Sequence, residues 1–279
     1  MTQSSELPIS RSSDRLAIVA GNGRFPFLVL DAAREQGFEP FVVAIKEETS
    51  PALAEKTQNI HWVSLGEAAK SLDLLVAEKI TKVVLAGQVK HAQLFSSIKR
   101  DGMMGRMLSG LSRKNTDMLI GAVVSMIEKR GMKVVDSTLF LKPLLPEVGT
   151  LTRRAPDEDE LADVAYGREI AKKIAGLDLG QTIVVADRAC VAVEAMEGTD
   201  AAIQRAGTLS NGRRLVVVKV SKPNQDMRFD VPVVGRKTIQ VMKDASASVL
   251  AVDAGKTLLF ERQLLIADAD EAGIAIVGM

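Results

Sequence analysis

Leu16-Ala-Ile-Val-Ala20-Gly21-Asn22-Gly23-Arg24-Phe25-Pro26 is the stretch that decides the fold. A short apolar run ends in a glycine turn, and the turn leads into residues 26–36, whose apolar positions recur at helical spacing. A run apolar throughout reads as a strand buried on both faces, which is the habit of parallel sheets. Pro26 suits a first helical turn and Gly37 a helix stop. Outward from this unit the alternation repeats. Strands are expected at 41–45, 60–64, 83–86 and 132–135, and helices at 67–78 and 116–130. A short helix should begin at Ser50-Pro51, with Ser50 as its cap. Regular alternation of this kind implies a doubly wound parallel sheet, so the fold class is α/β with a Rossmann-like N-terminal domain.

The pattern then breaks. Residues 140–159 hold Pro143, Pro146, Pro156, the pair Arg153-Arg154 and the run Asp157-Glu-Asp-Glu160. The expected division is a nucleotide-binding domain over 1–140, a linker over 141–160 and a distinct C-terminal catalytic α/β domain over 161–279. In the second half, strands are expected at 183–186, 191–193, 215–220, 250–252 and 274–277. Helices are expected at 162–175, 200–206 and 267–271.

Composition narrows the function. Among 279 residues, Lys plus Arg number 36 and Asp plus Glu 35, so 36 − 35 leaves a net charge of +1. That balance, with only 4% aromatics, argues against nucleic acid as a partner. A single cysteine, Cys190, excludes an intramolecular disulfide and reads as core, and two histidines exclude a His-rich zinc site. No apolar run approaches the roughly 18 residues of a membrane span, and the polar first fifteen residues lack a signal-peptide core. A reducing cytoplasm is the expected compartment, with peripheral contact at a membrane surface open to a chain of this kind.

Chemistry is expected from carboxylates, amines and backbone amides. Gly21 and Gly23 stand where backbone N–H groups can approach a phosphate at a helix start. Gly87-Gln88-Val89-Lys90 ends another strand and faces the same crevice. The segment 100–117 carries Gly102, Gly105, Gly110, Met103, Met104, Met107, Arg106, Arg113 and Lys114. It reads either as a mobile lid over an apolar ligand or as a helix packing Met107 and Leu108. Glu194, Glu197 and Asp200 place three carboxylates within seven residues after an apolar strand. Such oxygen ligands suit Mg²⁺, although Thr199 or Asp200 could equally cap a helix.

The densest string is Lys219-Val-Ser-Lys222-Pro223-Asn224-Gln225-Asp226-Met227-Arg228-Phe229-Asp230-Val231-Pro232. From Lys219 to Asp244 there are six basic and three acidic residues, a local excess of 6 − 3 = +3. Pro223 and Pro232 argue against a helix between them. If the segment is extended, Asp226, Arg228 and Asp230 share a face. Carboxylates interleaved with bases suit a metal-bound phosphoanhydride. A salt-bridged surface loop is the bland alternative.

Four motifs resemble one known family. They are Gly21-x-Gly23-x-x-Pro26, Gly87-x-Val89-Lys90, the string from Val191 to Asp200, and Lys222-Pro223-x-Gln225-Asp226-x-Arg228-Phe229-Asp230-x-Pro232. The chain is similar over nearly its whole length to UDP-2,3-diacylglucosamine pyrophosphatases of the LpxI type, enzymes of lipid A biosynthesis. The resemblance implies hydrolysis of a lipid-linked nucleotide sugar to UMP and 2,3-diacylglucosamine 1-phosphate, with Mg²⁺ or Mn²⁺ and with substrate held between the domains. It implies water attack at the sugar-side phosphorus and ties catalysis most closely to Asp226; on the charge reading Lys222 and Arg228 join it by neutralising the pyrophosphate. Lys219 and Lys237 would bind phosphate. Asp226, Glu194, Glu197, Asp200 and Asp230 are the metal-ligand candidates, and Gly21, Gly23, Gly87 and Lys90 would receive the nucleotide. Peripheral contact with the inner membrane and a homodimer are further expectations. Two rivals remain: a nucleotide-dependent oxidoreductase using Glu47 or Glu48 for the ribose, and a lipid carrier without catalysis.

Overall fold

The structure, a computed structural model, describes residues 10, 13–89, 101–109 and 116–279. It divides into two compact units. The first comprises residues 1–141 together with 227–230, and the second comprises 142–226 and 231–279.

In the first unit the order is β1 (Leu16–Ala20), α1 (Phe25–Glu35), β2 (Phe41–Ile45), α2 (Leu53–Lys56), β3 (Ile60–Val63), α3 (Ala68–Ala77), β4 (Lys82–Ala86), α4 (Gly102–Ser109), α5 (Thr116–Glu128) and β5 (Lys133–Val134). The strands form a parallel sheet in the order β3-β2-β1-β4-β5. That is the order of a Rossmann-like sheet, with the crevice where the winding reverses between β1 and β4. The apolar-throughout reading holds for β1 and β2, with every residue of β2 buried, but not for β3, which exposes His61. Gly37 follows α1 at φ +81°, as a helix stop requires. Ser50 does not act as the cap of α2; the helix begins three residues on, from Ala52, with no side-chain cap.

In the second unit the order is β6 (Gly149–Thr150), α6 (Glu158–Gly176), β7 (Thr182–Ala186), β8 (Ala189–Val193), α7 (Thr199–Leu209), β9 (Leu215–Lys219), β10 (Val233–Val234), α8 (Arg236–Asp244), β11 (Ala247–Val252), β12 (Leu258–Leu259), α9 (Arg262–Glu271) and β13 (Ala275–Gly278). The large sheet runs β6-β13-β11-β9-β7-β8, with β9, β11 and β13 parallel and the other three antiparallel to their neighbours. β10 and β12 make a separate parallel pair.

Within 141–160 the chain forms a 3₁₀ turn at Lys142–Leu144 and then β6, which is hydrogen-bonded to β13. α6 begins at Glu158, four residues before the expected start. The acidic run is itself the start signal: Asp157 accepts from the Glu160 N–H, while the Glu160 carboxylate accepts from the Asp157 N–H, a capping box. Carboxylates in that first turn also favour the helix dipole. α8 was not anticipated, because its 236–244 stretch lies inside the charged run. Its buried Ile239, Val241 and Met242 join the core shared with α7 and α9. Cys190, expected in the core, is exposed on the edge strand β8.

Candidate functional site

The carboxyl ends of β1 and β4 are stitched together by their backbones. Gly21 N–H donates to the Ala86 carbonyl at 2.8 Å, Asn22 N–H to Gln88 at 2.7 Å and Gln88 N–H to Asn22 at 3.1 Å. This close approach explains two glycines. A Cβ at Gly21 would stand 2.6 Å from the Gln88 oxygen, and one at Gly87 would stand 2.6 Å from the Asn22 oxygen. The amides that a phosphate would use at Gly21, Asn22 and Gln88 are therefore already spent. α1 adds little, because Pro26 lacks an N–H and the Phe27 N–H bonds Arg24. Gly23 differs: it is exposed, has φ +91° and leaves open space at its Cβ position. Lys90 lies outside the described residues.

Behind this stitch lies an apolar cavity of about 120 Å³. Gly21 and Gly87 form part of its floor, α3 and α5 supply aliphatic walls, and Met104 of α4 and Phe229 complete it. Of the segment 100–117, the helix reading holds in part. α4 packs the buried Met104, and Asp101 accepts from the Met104 N–H at 2.7 Å and the Ala69 N–H at 2.8 Å, so one carboxylate caps α4 and α3 together. The side chains of Met107 and Leu108, and residues 110–115, lie outside the described set. Glu47 is bound within the same unit by the Ser64 hydroxyl and the Leu65 N–H. Burial pushes its carboxyl up, but these two donors outweigh that and hold it below the ordinary glutamate range.

Residues 227–230 belong to this unit although they come late in the chain. Ser137, fully buried, donates its N–H to the Met227 carbonyl at 2.9 Å and lies with its hydroxyl against the Leu85 and Arg228 carbonyls. Arg228 pairs with Glu128 at 3.0 Å, and Phe229 packs on the unit's core. Asp230 is half-buried. The extended reading of the string does not hold, since turns occupy Pro223-Asn224 and Met227-Arg228-Phe229. Alternation therefore does not place Asp226, Arg228 and Asp230 on one face.

In the second unit the carboxyl ends of β9 and β11 are ionic. Their parallel register pairs Lys219 with Val252, which sets Asp253 beside Ser221. Asp253 Oδ2 accepts from Ser221 N–H at 2.7 Å, from the Ser221 hydroxyl at 2.6 Å and from Lys172 Nζ. Lys172 also donates to the Ser221 carbonyl at 3.0 Å, and Arg168 stands 3.5 Å from Asp253 Oδ1. Burial pushes the Asp253 carboxyl up; Lys172 and Ser221 outweigh it and hold it below the ordinary aspartate range. This cluster anchors the start of the turn that follows. Lys222 N–H donates to the Gln225 side chain at 2.6 Å and Gln225 N–H to the Lys222 carbonyl at 3.1 Å, so the Lys-Pro-Asn-Gln stretch closes on itself directly before Asp226. Asp226 is half-buried. Lys222 Nζ also pairs with Asp178 at 2.8 Å.

On the opposite face of β9, Lys219 is buried and donates to Thr199 Oγ1 at 2.7 Å. Thr199 in turn donates to the buried Glu194 at 2.8 Å. Thr199 and Glu194 thus hold the Lys219 ammonium at the strand end. The other two acids of that string point elsewhere. Glu197 pairs with Arg205 at 2.8 Å, and its own backbone N–H together with Arg205 holds its carboxyl below the ordinary range. Asp200 accepts from Thr238 at 2.9 Å and pairs at 3.4 Å with the exposed Lys237. Among the described residues no three His, Cys, Asp or Glu side chains come together in a way that could hold a metal ion. Both oxygens of Glu197 and of Asp200 accept from or pair with neighbours. Asp253, Ser221, Lys172, Arg168 and Ser137 were missed in the sequence. Lone residues leave no local pattern: the β9–β11 register sets Asp253 beside Ser221, α6 brings Arg168 and Lys172 to it, and Ser137 separately ties 227–228 into the first unit.

A Rossmann-like unit followed by a second α/β unit whose strand ends gather buried Lys, Asp and Ser before a tight turn defines a two-unit α/β protein. The comparisons agree with that division. The model of the LpxI N-terminal domain matches residues 15–144, and that of the LpxI C-terminal domain matches 147–277. The chain belongs to the LpxI family. It is 30% identical over 275 residues to the UDP-2,3-diacylglucosamine pyrophosphatase LpxI of Caulobacter vibrioides, covering 95% of this chain and 97% of that protein. Among solved structures, the biotin carboxylase domain of Hydrogenobacter thermophilus 2-oxoglutarate carboxylase is 14% identical, covering 73% of this chain and 43% of that one, with a TM-score of 0.24. So slight a likeness carries no argument. Among the described residues no helix is long and apolar enough to cross a membrane.

Proposed function

We propose that the chain hydrolyses the pyrophosphate of UDP-2,3-diacylglucosamine to UMP and 2,3-diacylglucosamine 1-phosphate, a step of lipid A biosynthesis. Family membership over both halves and the Caulobacter relative support the reading. The observation that carries it is the closed turn Lys222–Gln225, anchored through Ser221 on Asp253 and leading into Asp226. In the reaction the oxygen of water bonds to phosphorus, the anhydride P–O bond breaks, and the bridging oxygen leaves with UMP. Asp226 orients the water and takes its proton. Lys219, held in place by Thr199, and Lys222 offset the charge gathering on the phosphoryl oxygens. Lys222, Arg228 and Lys237 each pair with a carboxylate, of Asp178, Glu128 and Asp200.

A divalent cation, Mg²⁺ or Mn²⁺, would supply further neutralisation on the pyrophosphate. Mg²⁺ commonly takes one or two protein carboxylates and completes its shell with phosphate oxygens and water. Asp226 is the residue that would hold it, and the family's diacyl substrate would bring the protein to the cytoplasmic face of the inner membrane. UMP release from UDP-2,3-diacylglucosamine by the purified chain tests the reading. The expected result is turnover that stops with EDTA and returns with Mg²⁺. Lipid binding without UMP release would point to a carrier instead, and binding of NAD(P)H to an oxidoreductase.

A further inference from the structure

Ser221, the residue before the Lys222 turn, is fully buried and fixed on both sides. Its N–H donates to Asp253 Oδ2 at 2.7 Å, and its carbonyl accepts from Lys172 Nζ at 3.0 Å. Its hydroxyl gives Asp253 a second bond at 2.6 Å. Both peptide planes flanking Ser221 are thereby held, so the direction in which the chain leaves β9 is set before the turn begins.

Helix α6 supplies the support. Arg168, Lys172 and Gly176 recur at a spacing of four and so share one face of the helix. Arg168 reaches Asp253 Oδ1 at 3.5 Å, Lys172 reaches Ser221, and at Gly176 a Cβ would meet the Pro223 ring at 3.7 Å. Just past the helix end, Asp178 pairs with Lys222 at 2.8 Å. This face therefore follows the chain from Asp253 to Pro223. At Gly167 a Cβ would stand 2.8 Å from the Val218 side chain, so the helix is seated closely on β9 itself. Buried ion pairs add little net stability over apolar side chains of similar volume. What they add is direction, because a hydrogen bond fixes an angle as well as a distance.

We propose that Lys172 and Asp253 are positioning residues, which fix Ser221 and so place the closed turn and Asp226 after it. The proposal rests on the pyrophosphatase reading above, in which Asp226 activates the water. Gln225 holds both backbone groups of Lys222, and Pro223 has a fixed φ, so a rotation at Ser221 is passed along the turn rather than absorbed in it. A misplacement of about 1 Å at a reacting group costs about 10²-fold in rate.

Two readouts test this in the full chain. The first is amide hydrogen exchange without ligand. In Lys172→Met the amides of Ser221, Lys222 and Gln225 should exchange faster than in the parent, with those of β9 and β11 unchanged. Unchanged exchange at all three overturns the proposal. The second is UMP release from UDP-2,3-diacylglucosamine. Lys172→Met should lower kcat by about 10–10²-fold with KM held within about twofold, since the loss falls on geometry at the reacting centre and not on binding. Lys172→Arg, which keeps a charged donor, should recover most of that loss. Lys173→Met removes only an exposed pair with Glu169 and should leave kcat unchanged. A parent-like kcat in Lys172→Met, or a loss that appears wholly in KM, overturns the proposal. A parent chain that releases no UMP would instead sink the pyrophosphatase reading, while the exchange result still decides whether Lys172 orders the turn.

Discussion

The two units place the same topological feature, the carboxyl ends of adjacent parallel strands, to opposite uses. At β1 and β4 the backbones satisfy one another, two glycines admit the contact, and the space behind is hydrocarbon. At β9 and β11 the ends bear Lys219, Ser221 and Asp253, which are held by ionic and hydrogen-bonded contacts. The difference teaches that the same topological feature can be closed by backbone and apolar packing in one unit and ordered by charged side chains in the other.

The largest effect should fall at Asp226. Asp226→Asn keeps shape and removes the base, so kcat for UMP release should fall by about 10²–10⁴-fold with substrate binding retained. Activity within a few fold of the parent would move the chemistry away from the ionic end. The next effect tests the backbone-stitched end. Gly87→Ala forces a Cβ to within 2.6 Å of the Asn22 oxygen at φ +96°, and should cost about 2–4 kcal/mol in urea unfolding. Gly23→Ala meets nothing within 4 Å and should cost only about 1 kcal/mol, from its φ of +91°. Equal costs would mean the stitch is not what the glycines serve.

Asp253→Ala strands Lys172. A fully buried pair would lose roughly 3–5 kcal/mol, but the Lys172 side chain is 33% exposed, so about 2–3 kcal/mol is expected. The same carboxylate sets a pH response. Its pKa is depressed in the folded state, so its contribution is complete above the unfolded aspartate value of about 3.9 and is lost as pH falls through the lower folded value. Stability curves of the parent and Asp253→Ala, compared from neutral pH downward, should converge only below that range. The smallest effect belongs to Lys237, whose side chain is 82% exposed. Lys237→Ala should change stability by less than about 1 kcal/mol.

Much of the first unit was legible because buried parallel strands are apolar throughout. The runs at 16–20 and 41–45 coincide with β1 and β2. The acidic run at 157–160 was visible, but its meaning as a helix start needed the Asp157–Glu160 pairing. α8 hid because Arg236, Lys237 and Lys243 mask its apolar stripe in a charge count. The string around Asp226 stood out by composition, yet its turns did not, since the closure depends on one Gln225 side chain. Gly21 and Gly87 looked like phosphate-loop glycines. Only the neighbouring strand end shows that backbone crowding also demands them.

Hydrogen exchange of the parent chain with UDP and Mg²⁺ tests most directly whether charge chemistry and apolar packing divide as the strand ends suggest. Slowed exchange over residues 219–226, with 21–25 unchanged, is the predicted result. Protection of 21–25 with 219–226 unaffected would contradict it.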